Sequence, residues 1–470
     1  MAKMARTTLS WILVSGLILL SGCCKLQDTP EETSYRSLKA YIDSIKVINT
    51  HEHQHLAEFT AKARVNFFSI LASSYLQADL SAAGAPAFDN KLIDAGNLDT
   101  LWERYGAYLD YSRNTSYYGQ LVQGFRILYG FREPYFTREN VLELSQKIEK
   151  NYREFDIWYP EAFKKANFSL MLNDQYWDQL RAGVARGEYA LVMRIDKFLN
   201  TVANRSEKEK SPEDSLNNPF YMAKKEGFTI RTLDDYLKYA EMSIKKFAEA
   251  RAVCAKTANA YDRTIYYEDV PQKEVEALFL KPSESLTAVE KKRLEDFMFH
   301  WCVKKCAEYD LPLQIHTGYL AGSRAVIDNG MPMKLLDIFI KYPDEKFILF
   351  HGGYPWYQEI GALAKSFPNV YIDIVWLPQI SREGAVSALH QWLDCVPYDK
   401  FFWGGDCSTI EEATGSLEYG RDVVARVLAQ RVTSGTMRMD LAREVARNIF
   451  RDNALKVFRL EEKLGRKLED

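Results

Sequence analysis

Residues 49–55 read NTHEHQH, placing three of the chain's seven histidines within five positions, directly after the apolar pair Val47-Ile48. Two readings compete. Polar residues collect wherever a strand runs out into a loop; alternatively, His51 and His53, two apart on an extended chain, point the same way and share one metal ion. The same placement recurs further on: Lys256 follows AVCA, His316 follows LPLQI, His351 follows FILF and Asp406 follows FFWGG. Each of these can bind a metal or move a proton, and each stands where a short apolar run ends. Neutral imidazoles with one carboxylate suit Zn²⁺ first, with Mn²⁺ or Fe²⁺ as alternatives, and leave a position for water. An ion so held lowers the pKa of water from ~15.7 towards ~7 and polarises a carbonyl. Asp406 is then the proton acceptor and later donor, and His351 orients the substrate or stabilises an oxyanion.

Bland readings stand beside these. His316 and His351 could be core histidines, Asp406 could cap a helix, and Lys256 could contact substrate or a structural carboxylate. Arg194, in VMRID, and Arg263, in AYDR, could clamp a substrate carboxylate or sit in structural ion pairs. His55, His300 and His390 read as structural or surface residues.

Something must carry these residues to one place. Eight apolar runs fit buried strands: Val47–Thr50, Phe168–Leu172, Tyr189–Ile195, Ala252–Ala255, Leu313–Ile315, Phe347–Phe350, Val370–Ile374 and Phe401–Trp403. Helical patterns separate the later ones, at Leu233–Arg251, Ala288–Tyr309, Met333–Tyr342, Tyr357–Phe367 and Arg382–Asp394. The second opens with a capping box, Thr287 and Glu290. Alternating β and α elements with doubly buried strands predict a parallel sheet, and eight strands predict its closed form, the (β/α)8 TIM barrel. Active residues of such barrels lie at the carboxyl ends of the strands, where all the candidates fall. Between strands one and two, about 57–166 forms an aromatic-rich helical insertion. It is either a peripheral domain or a cap over the barrel mouth.

With 470 residues, 27% of them charged, and a net charge of −3, the chain shows no basic excess to suggest a nucleic-acid partner. Residues 1–22 carry a positive start (Lys3, Arg6) and an apolar stretch, LSWILVSGLILLSG, too short to span a bilayer comfortably. The stretch ends in Leu20-Ser21-Gly22-Cys23, which resembles the bacterial lipoprotein signal. That resemblance implies a lipid on Cys23, a tether over 23–37 and attachment to a membrane of the cell envelope. The barrel is expected over 38–460, with a charged tail at 461–470. The cysteines form no disulfide framework and no zinc-binding CxxC pair.

On the residues as aligned above, the sequence resembles the amidohydrolase superfamily, whose pattern is HxH on strand one, Lys or another ligand on strand four, His on strands five and six, and Asp on strand eight. HGGYPWYQEIGALAKSFPNVYIDI (351–374) and NIFRDNALKVFRL (448–460) are similar to its amidohydrolase-related branch, and AKTANAY (255–261) and LPLQIHTGY (311–319) to the FluG-type group. Asn49 departs from the Asp that many relatives have there. The resemblance implies one or two divalent ions held by His51, His53, His316 and Asp406, with Lys256 carboxylated and bridging when there are two. It implies hydrolysis of an amide, cyclic amide or ester in a small molecule that could carry a carboxylate. Non-oxidative decarboxylation and uronate isomerisation are the alternatives, and a non-catalytic binding module is a third. Substrate and oligomeric state, a homo-oligomer included, stay open.

Overall fold

The computed structural model describes residues 28–54, 64–174, 187–205, 218–322 and 324–469. Eight parallel strands pair in chain order: β1 (Val47–Glu52), β2 (Phe168–Asn173), β3 (Tyr189–Arg194), β4 (Cys254–Thr257), β5 (Leu313–Ile315), β6 (Phe347–Leu349), β7 (Val370–Asp373) and β8 (Phe401–Phe402). Backbone bonds join the two end strands. Thr50 N donates to Trp403 O, Asp406 N to His51 O, and His53 N to Cys407 O. The fold is the expected (β/α)8 barrel, and each apolar run is one of its strands. β4 starts later than its apolar run, so Lys256 is the third residue of the strand and not a residue beyond its end.

Four of the five expected helices are present to within two residues at either end: Leu233–Glu249, Ala288–Glu308, Tyr357–Ser366 and Arg382–Cys395. The Thr287–Glu290 capping box closes as expected. The fifth is divided into a 3₁₀ turn at Pro332–Leu335 and a short helix at Leu336–Lys341.

Two boundaries differ from expectation. The tether ends at Thr29, because Pro30–Ser44 is a helix with Pro at its first position and a Thr29–Glu32 capping box. Its buried Leu38 and Ile42 face the barrel, and Tyr35 and Lys39 bond Asp422 and Glu418 on the Ile410–Thr433 helix. Residues 461–469 are no free tail either: a helix runs from Leu460 to Leu464, Leu468 is buried, and Arg451 donates to the carbonyls of Leu468 and Glu469. The same guanidinium binds Lys46 O, just before β1, so the terminus is docked against the barrel's amino-terminal face.

Seven helices of the insertion lie between Phe67 and Lys165 among the described residues. Most of its aromatics form a core of their own; Phe67 packs against Phe125 and Phe136. The Ser116–Tyr129 helix lies along the Ile410–Thr433 helix, and Tyr75 reaches the barrel mouth. The insertion is therefore both a packed body and a cap. Residues 1–22, Cys23 and His55 fall outside the described residues. Among the described residues, no helix is long and apolar enough to cross a membrane, and the five cysteines are free.

Candidate metal centre

β1 carries His51 and His53 to the carboxyl-terminal mouth of the barrel, and the turn after β8 brings Asp406 against them. His51 Nε2 lies 3.1 Å from His53 Nε2. Asp406 Oδ1 lies 3.2 Å from the first and 3.3 Å from the second. Three donors bound to one ion at ~2.0–2.1 Å would stand about 2.9–3.4 Å apart, so the triangle fits a divalent cation. Gly405 makes the approach possible, since a Cβ there would fall 1.9 Å from Glu52 Oε1.

The hydrogen bonds set the ring tautomers. His53 Nδ1 faces the carbonyl of Asp174, which only accepts, so Nδ1 carries the proton and Nε2 presents a lone pair to the triangle. His51 Nδ1 is buried with no partner. A second pair repeats the arrangement. His351 Nδ1 faces Val375 O at 3.3 Å, His316 Nε2 faces Tyr319 O at 2.9 Å, and the two remaining nitrogens stand 2.9 Å apart. Two neutral imidazoles bring two protons to these three contacts, and the carbonyls bring none. Burial pushes His51 and His351 down to about 3 and His316 well below its ordinary value, so a third proton is excluded near neutrality. A cation shared by the facing nitrogens would take the place of the missing proton.

Lys256 is buried among these groups, its Nζ 3.8 Å above the Phe350 ring, and among the described residues it makes no hydrogen bond or ion pair. Burial pulls it down to about 7, and its charge acts on His51, His316 and His351. Burial alone would raise Asp406; the edges of His51 and His53 more than offset it and leave the carboxyl well below the usual range. His351 and Asp406 both have positive φ (61°), which costs a non-glycine residue about 1–3 kcal/mol and marks these turns as constrained.

His51, His53, Lys256, His316 and Asp406 line one cavity of about 930 Å³. Arg194 lines it too, paired with Asp174 at 3.1 Å and Asp196 at 3.4 Å. Arg263 does not. It is held by Glu295 and Asp296 at 3.1 and 2.6 Å, the structural alternative stated above for it. His300 bonds Tyr342 and Tyr267 O, and His390 bonds Gln430, both away from the cavity wall.

Several residues of the site carry no motif. Asp174 follows β2, and its carboxylate stands within 4.8 Å of the donor nitrogens of His51 and His53. Burial would raise it, but Arg194 and His53 bring it to about 2. Glu52, fully buried between the two histidines, accepts from Asn49, Gln54 and the backbone N–H of Cys407, tying the end of β1 to the turn after β8. Tyr75, from the insertion, donates to Asp406 Oδ2 at 2.8 Å and packs 4.5 Å from the Trp376 ring.

Residues 273–460 match the amidohydrolase family profile. Protein fluG of Emericella nidulans is 29% identical over 186 residues, 38% of this chain; the match spans about a fifth of that relative, 21% of its length. Among solved structures, uronate isomerase of Thermotoga maritima superposes with a TM-score of 0.72 at 16% identity, covering 91% of this chain and 97% of that one. Glucuronate isomerase of Caulobacter crescentus gives 0.72 at 18%, covering 93% and 95%. A candidate metal-dependent hydrolase of Lactobacillus casei gives 0.62 at 17%, covering 91% and 98%. At these identities the structures share the fold.

Proposed function

We propose that this protein is a metal-dependent hydrolase that cleaves an amide, cyclic amide or ester bond in a small polar molecule. One observation carries the reading: two clusters of lone-pair donors converge on one cavity without the protons needed to satisfy them, and an unbonded lysine acts on both. His51, His53 and Asp406 would hold one divalent ion, and His316 and His351 a second. Lys256, pulled down by burial to about 7 and without a hydrogen bond among the described residues, would be able to take up CO₂ as a carbamate and so serve as a further ligand. A bound ion supplies Lewis acidity, lowering the pKa of water and polarising the scissile carbonyl. Asp406 accepts the proton of the attacking water and returns it to the leaving group, while Tyr75 holds its outer oxygen. His351, its Nδ1–H held by Val375 O, would serve the second ion through Nε2, and the buried walls keep bulk water from the reacting atoms.

Isomerisation of a sugar acid is the second reading, and the cavity wall favours it. No described lining residue is an aliphatic larger than alanine, whereas serines, threonine, asparagines and charged groups are many. Such a wall recognises hydroxyls and carboxylates. The deciding measurement is elemental analysis of a chain starting after Cys23, beside His51→Ala/His53→Ala. Two ions per chain, with a ¹³C-labelled carbamate signal that Lys256→Ala abolishes, support the hydrolase; assays on amide and ester panels follow. One ion and turnover of glucuronate support the isomerase, and no ion in folded protein supplied with Zn²⁺, Mn²⁺ or Fe²⁺ rejects both. Attachment to the cell envelope through Cys23 belongs to the same proposal, and mass spectrometry of the membrane-extracted protein reads the lipid directly.

A further inference from the structure

The helix that follows β8, Ile410–Thr433, begins with two acidic residues, Glu411 and Glu412, both buried. Acids in a first turn usually face solvent and the helix dipole. These do neither. Glu411 Oε1 accepts from Tyr129 at 2.6 Å and Oε2 from Tyr152 at 3.0 Å, two phenols on two different helices of the insertion, both packed on Trp158. Glu412 Oε1 accepts the backbone N–H of Tyr75 at 2.7 Å, and Gln120 donates to the Glu412 carbonyl at 3.1 Å. The helices meet backbone to backbone at Gly124 and Gly415: a Cβ on the first would lie 1.9 Å from Glu411 O, and on the second 2.0 Å from Gln120 O.

These contacts form a chain. Tyr129 and Tyr152 hold Glu411; the adjacent Glu412 holds Tyr75; Tyr75 holds the outer oxygen of Asp406. The Tyr75 ring packs on Tyr117 and Trp376, and its backbone lies just before the seven-residue helix Leu76–Ala82, which no side chain caps. We infer that Glu411, clasped by Tyr129 and Tyr152, is a positioning residue: it latches the insertion onto the start of the Ile410–Thr433 helix in the one register that sets Tyr75 on Asp406. The insertion is thereby part of the metal centre, although among its described residues Tyr75 alone bonds the donors set out above. This inference rests on the metal-binding half of the proposed function and is indifferent to the reaction catalysed.

The test uses the chain from residue 24 onwards and Co²⁺, followed by its visible absorption, with deuterium exchange of peptides covering 72–80 and a melting curve for each variant. Tyr75→Phe and the double variant Tyr129→Phe/Tyr152→Phe should each weaken Co²⁺ binding about tenfold, as loss of an outer hydrogen bond to a ligand does. Both should alter the Co²⁺ spectrum. The double variant should also speed exchange at the Tyr75 amide. The triple variant should be no weaker than Tyr75→Phe alone, because both act through one contact. Glu411→Gln, whose amide can accept from one phenol and donate to the other, should stay near wild type. If the phenol-free double variant binds Co²⁺ with wild-type affinity and spectrum, or the losses multiply in the triple variant, the latch is refuted and Glu411 is merely structural. His51→Ala separates the two levels: should it bind Co²⁺ as wild type does, the metal centre is misassigned, and exchange at Tyr75 then decides the latch on its own.

Discussion

Replacing Gly124 by alanine measures how closely the insertion and the barrel are joined. The added methyl would start 1.9 Å from the carbonyl oxygen of Glu411, 2.8 Å from its carbon and 3.4 Å from the nitrogen of Gly415. All three are backbone atoms of the opposing helix, so no side chain can swing aside. Real contacts do not fall below about 3 Å, so the helices must part by about 1 Å, a displacement of the kind that costs 1–3 kcal/mol when a packed interface is overfilled. The Gln120–Glu412 bond stretches with it, worth about 0.5–1.5 kcal/mol. Alanine's better helix propensity returns about 1 kcal/mol. The net expectation is a destabilisation of about 0.5–3.5 kcal/mol. Gly119 supplies the control on the same helix. A Cβ there meets only the phenol end of Tyr419, its hydroxyl and Cζ, the far end of a side chain that can shift, so Gly119→Ala should range from neutral to about 1 kcal/mol stabilising. Urea unfolding monitored by circular dichroism reads both. Equal stability of Gly124→Ala and wild type, or equal effects of the two alanines, would refute the close packing argued here.

Other outcomes follow from the same geometry. Arg263→Ala strands the fully buried Asp296 with Lys292 as its remaining cation, and should cost about 2–4 kcal/mol in urea unfolding while leaving bound metal unchanged; loss of a substrate clamp would instead leave stability near wild type and raise KM. Burial raises the Glu345 carboxyl to about 8, against an ordinary value of 4.5. The folded chain therefore keeps a proton that the unfolded chain releases, and stability declines as pH rises from about 4.5 to about 8. Glu345→Gln removes that slope, so melting curves should show the variant gaining on wild type at pH 9 relative to pH 5. An unchanged difference between the two pH values would sink the assignment.

The strands were readable because each is a short apolar run with a polar residue at its end, and the barrel follows from their number and parallel pairing. The same rule that finds Asp406 after FFWGG also finds Asp174 after FSLMLN, so that residue had a signal. So did the Pro30–Ser44 helix, whose Thr29-Pro30-Glu31-Glu32 start is a capping box with proline in its first turn. Arg194 closes β3 and Arg263 stands six residues beyond β4, and only the distant Glu295 and Asp296 separate a cavity wall from a structural pair. Tyr75 has no local signal at all. Its place depends on Glu412, 337 positions away, and no periodicity reports a contact of that range.

The join between insertion and barrel also bears on how the protein is made. Tyr129 and Glu411 are 282 residues apart, and Tyr75 and Asp406 are 331 apart. A ribosome adding about 5–20 residues per second needs roughly 15–60 s to deliver Glu411 after Tyr129 has emerged. Throughout that interval the face bearing Tyr117, Gln120 and Gly124 has nothing to cover it, and closing so long a loop is slow in itself. The insertion, synthesised among the first helices, must be among the last to dock. The nascent chain is therefore most vulnerable to aggregation in its first half, and a chaperone that shields residues 67–165 until β8 is complete would raise the yield of folded protein.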